Sequence, residues 1–135
     1  MEKKIRPAVK AVIQQEEMFL VIKQEFSDKV IWDIPGGKVE FGENPYDTLK
    51  REVREETCLS FEIVKPLGLY WFFRSDGDQI VCTTFLCRTR DKVIDLSKNL
   101  ADENITEYRW LTKEELVSEE YNFGHKSLKQ LFAKL

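Results

Sequence analysis

Residues 36–59 constrain this chain more than any other stretch. Asn44 is a good helix N-cap, Pro45 suits the first helical position, and Asp47 lies in the first turn near the positive helix end. A helix opening there carries Tyr46, Leu49 and Val53 as an apolar stripe to bury. At about 100° per residue, Glu52, Glu55 and Glu56 fall within an arc of roughly 100° beside that stripe. Upstream, Pro35-Gly36-Gly37 supplies the backbone freedom to turn and to bring a bare carbonyl to a ligand.

Three like charges on one edge repel, each pair by about 0.2–0.5 kcal/mol when solvated, and Arg51 offsets part of this from one turn before Glu55. Two readings follow. One is a solvated acidic face, the ordinary fate of a charge run. The other is a divalent-cation site, because hard ions such as Mg²⁺ take carboxylate oxygens, often beside substrate phosphates. Spacings of three and four residues let several carboxylates converge on such an ion.

The spacing decides between them. Gly37, five residues, Glu43, seven residues, Arg51-Glu52, then Val53, Arg54, Glu55-Glu56, Thr57, Cys58 and Leu59 resembles the signature box of the Nudix hydrolases, G-x5-E-x7-R-E-U-x-E-E-x-G-U with U aliphatic. Every defined position matches except the second glycine, which is Cys58 here. A chance match is on the order of 10⁻⁵ or less at ordinary residue frequencies. The box covers 23 of the 135 residues, and the order of the surrounding segments is also similar.

The resemblance implies an α/β/α sandwich with a mixed central sheet between helices. It implies hydrolysis of a nucleoside diphosphate linked to a further group, with Mg²⁺ or Mn²⁺ as cofactor. By position in the box, Glu52, Glu55 and Glu56 are the implied metal ligands and the Gly36 carbonyl a further one. Glu52 is the implied general base, with Glu56 the second catalytic carboxylate, although family members differ in which glutamate serves. A ligand or base from outside the box is assigned to Glu103, with Glu107 as the alternative. Glu43 and Arg51 are an orienting pair rather than reactants. Asn122 occupies the loop where MutT-type members carry a base-reading asparagine. Cys58 departs from the box. If its position needs a positive φ, it costs about 1 kcal/mol. A reactive thiol there needs an electropositive setting, and three glutamates sit nearby.

Along the rest of the chain, Ile5–Ile13 reads as a strand with Val9, Ala11 and Ile13 on one face. Residues 14–17 are polar and fit a hairpin loop, and Met18–Ile22 is an apolar run suited to a strand covered on both faces. Residues 26–30 read as a loop and Ile31–Ile34 as a short strand stopped by Pro35-Gly36-Gly37. Phe61–Phe73 reads as a long strand bent near Pro66 and Gly68, with an Asp76-Gly77 turn and a return strand at Gln79–Arg88. Asp91–Asn104 is a polar connection and Glu107–Leu111 a last strand. Thr112 to Glu115 has the form of a capping box opening a short helix to Val117, and Lys126–Lys134 an amphipathic terminal helix with Leu128, Leu131 and Phe132 inward. His125 is a surface residue at a helix start, and Trp110 is core. Trp32 and the run Tyr70-Trp71-Phe72-Phe73, Phe72 above all, offer aromatic faces for a base or sugar.

A chain of 135 residues is expected to form one domain, residues 1–135. Its net charge of −3 carries no basic footprint for duplex nucleic acid, so an anionic substrate needs a metal ion's help. It shows no apolar run near the roughly 18 residues a membrane span requires and no signal peptide, so a cytoplasmic location with no membrane partner is expected. Cys58, Cys82 and Cys87 have no metal-ligand spacing and are expected as reduced thiols, on a monomer or homodimer. The markers associated with ADP-ribose, diadenosine-polyphosphate, CoA and NADH subfamilies are not evident. The expected activity is therefore MutT-like cleavage of a small-molecule nucleotide, a nucleoside triphosphate foremost. RNA 5′-pyrophosphohydrolase, nucleotide-sugar pyrophosphatase and a non-catalytic nucleotide-binding module are the alternatives.

Overall fold

The computed structural model describes residues 2–97 and 104–135. Strands β1 (Ile5–Gln15) and β2 (Met18–Glu25) form a hairpin whose turn places Glu16 at φ 56°. The two strands pair only beside the turn, at Gln14 with Phe19 and Gln15 with Met18. Beyond that they splay, and residues 30–38 fill the fork. Strand β3 (Val30–Asp33) pairs with β2, and β4 (Gly36–Lys38) pairs with β1. The Pro35 carbonyl accepts from Ala11 N at 2.8 Å where the chain crosses between them. The double glycine was expected to end a strand. Instead Gly36 and Gly37 extend the sheet, because a residue without Cβ fits where β1 lies closest: a Cβ on Gly36 would come within 2.1 Å of the Val9 carbonyl oxygen.

Helix α1 (Pro45–Thr57) follows, then β5 (Glu62–Phe73), β6 (Gln79–Arg88) and β7 (Ile105–Leu111), and helices α2 (Lys113–Leu116) and α3 (Lys126–Phe132). Among the described residues, a seven-stranded sheet runs β3-β2-β1-β6-β5, with β4 added to β1 and β7 to β2. It is mixed, since β1 and β6 are parallel while the other pairs are antiparallel. The register of β5 against β6 slips at Ile63/Lys65 and at Pro66/Gly68, where the bend was expected.

Period-two alternation along β1 divides the core between the two sheet faces. Val9, Ala11 and Ile13 join Leu49 and Val53 of α1 in one apolar cluster. Ala8 and Val12 join Leu116 of α2 and Leu128, Leu131 and Phe132 of α3 in another. Helices on both faces of a mixed sheet make the α/β/α arrangement. Leu49 and Val53 are fully buried, each stabilising by about 1.5–3 kcal/mol. Tyr46 departs from the expected stripe. It is half exposed in the first helical turn, its ring leaning on Phe85 at 5.4 Å.

The caps are as the sequence predicts. The Asn44 side chain accepts from Tyr46 N, and Thr112 and Glu115 form a reciprocal capping box. Among the described residues, no helix is long and apolar enough to cross a membrane.

Candidate active site

The fork between β1 and β2 aims the glycines at α1. The Gly36 N–H donates to Glu56 Oε1 at 2.8 Å, and the Glu56 side chain is wholly buried. One residue on, a Cβ at Gly37 would lie 2.4 Å from Glu52 Cδ and 2.6 Å from Glu52 Oε2, so the bare Cα is what makes room for that carboxylate. Arg51 joins the remaining acids. It donates from Nε and Nη2 to both carboxylate oxygens of Glu43 at 3.1 and 3.2 Å and from Nη1 to Glu52 Oε1 at 3.1 Å, with Glu55 Oε2 at 3.5 Å. The bidentate grip on Glu43 makes Arg51 the orienting residue of the cluster. Burial works against the Arg51 charge, but the hydrogen bond to Glu43 and the neighbouring carboxylates outweigh it and raise its pKa. Glu43 is held below the usual glutamate value, first by a Thr48 hydrogen bond and further by the Glu40 backbone and Arg51, against the opposing pull of burial.

Glu52, Glu55 and Glu56 thus stand on one helical turn but are not gathered into one group. Among the described residues, no three His, Cys, Asp or Glu side chains meet in a metal-binding cluster. The sequence expectation was that this spacing lets several carboxylates converge on an ion. Like charges repel, and each carboxylate lies beside a donor, Arg51 for Glu52 and Glu55 and the Gly36 amide for Glu56. The donor set still suits a hard divalent cation, being all carboxylate oxygen beside a glycine backbone. The space kept open by the absent Gly37 Cβ is filled by a carboxylate rather than by a wall.

At the helix end, Cys58 does adopt the left-handed conformation, φ 62° and ψ 11°, and its N–H donates to Arg54 O. The position that the signature gives to glycine is therefore held by a residue in left-handed, strained backbone. Cys82 and Cys87 are buried strand residues whose thiols burial pushes up to about 11 and about 12.

A cleft of about 910 Å³ opens beyond β3, with Asp33 and Tyr70 among its lining residues and Phe26, Phe72, Phe123 and His125 around them. Phe72, expected as a base-stacking residue, is among its lining residues. Trp32 is not. It is 7% exposed, packs edge-on to Tyr121 at 5.3 Å and lies under the Arg109 guanidinium. Strand alternation explains the correction: Ile31 and Asp33 face the cleft, so Trp32 turns into the core. Asn122 is exposed and tied into its own loop. Its side chain donates to Val30 O at 3.3 Å and accepts from Gly124 N at 3.0 Å. His125 caps α3 by accepting from Ser127 N, and its ring packs on Trp71 at 4.2 Å. Trp110 is half-buried at the edge of the α1-side cluster and donates to Lys92 O.

Glu103 lies outside the described residues. Glu107 pairs with Arg109 at 2.9 Å and Lys23 at 3.5 Å, and the Arg109 hydrogen bond holds its carboxyl below the usual value.

Sequence reasoning missed a buried group beside these residues. Lys10 Nζ donates to Asp33 Oδ2 at 3.1 Å, and Tyr70 OH donates to Asp33 Oδ1 at 2.9 Å. Burial, reinforced by the Asp33 charge, pushes the Tyr70 hydroxyl far above its ordinary value. The available signal was a lysine at an inward position of β1, between Ala8 and Val12.

Comparison with known proteins gives a match over nearly the whole chain. The NUDIX domain family model matches residues 4–132. Nudix hydrolase 5 of Arabidopsis thaliana is 26% identical over 114 residues, 82% of this chain and 37% of the relative. A MutT-like protein of Streptomyces ambofaciens is 30% identical over 105 residues, 78% of this chain and 62% of the relative. The chain therefore spans less than two thirds of either relative's length. The crystal structure of a MutT protein from Methanosarcina mazei Go1 superposes with a TM-score of 0.82 over 99% of this chain and 94% of that one, at 24% identity.

Proposed function

This chain belongs to the Nudix hydrolase family, and we propose that its substrate is a nucleoside triphosphate, cleaved by water to a nucleoside monophosphate and pyrophosphate. The observation that carries the reading is the pairing of the Gly36–Gly37 strand with Glu52 and Glu56, three residues beyond Asp33 at the aromatic cleft. Charge at one end of such a site and stacking surface at the other suit a base bearing a phosphate chain.

Nudix hydrolases work with a divalent metal, and Mg²⁺ is proposed here, held by Glu52, Glu55, Glu56 and the Gly36 carbonyl. When bound, such an ion neutralises phosphoryl oxygens and lowers the pKa of water. The chain's own residues do the rest. Glu52, its second oxygen against Gly37, accepts the proton of the attacking water as general base. Glu56 is fixed by the Gly36 amide, and Arg51, midway along α1, holds Glu43, Glu52 and Glu55. Attack forms one P–O bond and breaks the anhydride P–O bond, and pyrophosphate departs with the bridging oxygen. Phe72 and Phe123 would flank the base, in a cleft whose volume suits one nucleoside.

The test is a screen of purified protein with Mg²⁺ against nucleoside triphosphates, their oxidised forms, dinucleoside polyphosphates, nucleotide sugars and 5′-triphosphate RNA. Release of pyrophosphate from a triphosphate, falling on the order of 10²-fold or more in E56Q, is the expected result. Preference for another class would replace the substrate assignment, and no turnover with tight nucleotide binding would replace the enzyme by a binding module.

A further inference from the structure

We propose that Lys10 is a positioning residue for the metal-binding carboxylates, acting through the chain segment that crosses from β3 to β4. The inference rests on the divalent-metal reading of the site given above.

Lys10 lies on the same face of β1 as Ala8 and Val12, which belong to an apolar cluster, and it is 9% exposed. An aliphatic residue would continue that face, and desolvating an ammonium there is unfavourable unless it is paired and hydrogen-bonded. Its partners are specific. The ammonium donates to Asp33 Oδ2 at 3.1 Å and to the Ile34 carbonyl at 3.3 Å. Asp33 Oδ1 accepts from Ile34 N at 2.8 Å and from Tyr70 OH. One side chain thus grips the segment by a carboxylate and by a backbone carbonyl.

The backbone of β1 grips the next residues. Ala11 N donates to Pro35 O, and Lys10 itself stands opposite Gly36 in the β1–β4 ladder. The Lys10 stem runs so close to Gly36 that a Cβ there would lie 2.9 Å from Lys10 Cδ. Gly36 then presents its N–H to Glu56. A continuous set of contacts therefore runs from the Lys10 ammonium through Ile34, Pro35 and Gly36 to the buried carboxylate of Glu56. The same ammonium touches Asp33 at the cleft, so it ties the glutamates to the base-binding side.

The experiment measures Mn²⁺ binding by calorimetry without substrate, alongside thermal unfolding, for wild type, K10M and K10M/D33N. K10M leaves a buried carboxylate uncompensated and lowers Tm; the double variant removes both charges and recovers most of it. The expected result is Mn²⁺ affinity about 10-fold or more weaker in K10M, as for other residues that orient metal ligands, and still weak in K10M/D33N despite the recovered Tm. In turnover, kcat of K10M falls while KM changes little. Affinity that follows Tm across both variants, or K10M that binds Mn²⁺ as wild type does, overturns the inference and leaves the metal reading intact. A wild-type protein that binds no Mn²⁺ overturns the metal reading and this inference with it.

Discussion

The carboxylate cradle and the aromatic cleft are linked by the short run from Asp33 to Gly36, yet they are built in opposite ways. The cradle draws on one run, Gly36 to Glu56, and a single helix sets most of its geometry. The cleft is assembled from β3, the end of β5 and the loop before α3, with lining residues as far apart as Gln24 and His125. A local pattern fixes the first, because helical spacing and a glycine turn are short-range properties. Only long-range packing creates the second. Chemistry is therefore expected to reside in the contiguous region and substrate preference in the dispersed one.

Substitutions can break that division of labour. After E56Q, the largest effect is expected from G37A, whose new Cβ would collide with the Glu52 carboxyl 2.4 Å away. We expect kcat to fall about 10- to 100-fold, with nucleotide KM little changed, in steady-state pyrophosphate release. F72A should do the reverse. Losing one stacking face costs about 1–3 kcal/mol of binding, so KM should rise about 5- to 150-fold while kcat holds. Equal damage to both parameters in either variant would show that the two regions are not separable.

C58G tests the strained helix end next to the cradle. Glycine accepts φ 62° without the Cβ clash, so stability should rise by about 1 kcal/mol and Tm by about 3 °C, with kcat unchanged. The smallest effect is expected at the hairpin beyond the cleft. There Asp76 is pushed down to about 2, first by its hydrogen bonds from Arg74 and then by the Asp78 backbone N–H, with burial opposing. Its folded-state value lies below the ordinary 3.8. Its stabilising contribution is therefore complete above about pH 4 and lost as pH falls towards 2. Thermal unfolding should show D76N less stable than wild type at pH 6, with the gap closing by pH 2.

Much of the cradle was legible. Asn44, Pro45 and the box spacing specify α1, and Val9, Ala11 and Ile13 correctly mark the sheet face it covers. The Thr112–Glu115 box was equally clear, since both partners lie within one turn. Misreadings came where distant strands intervene. Gly36 and Gly37 look like a strand stop, but β1 supplies a partner for them. Trp32 looks like a ligand contact until its strand's orientation is known. Lys10, Asp33 and Tyr70 are 23 and 37 residues apart in successive steps, and no local pattern joins them.

By itself the amino-acid order determined a capped helix with a charged edge, the strands' inner and outer faces, and the family's box, because these depend on neighbours one to four residues away or on period-two alternation. The tertiary structure decided that β1 and β2 part to admit residues 30–38, and that a lysine buried in that fork meets an aspartate at the cleft. Those outcomes depend on which distant strands share hydrogen bonds, and side-chain positions across a fork follow from that choice.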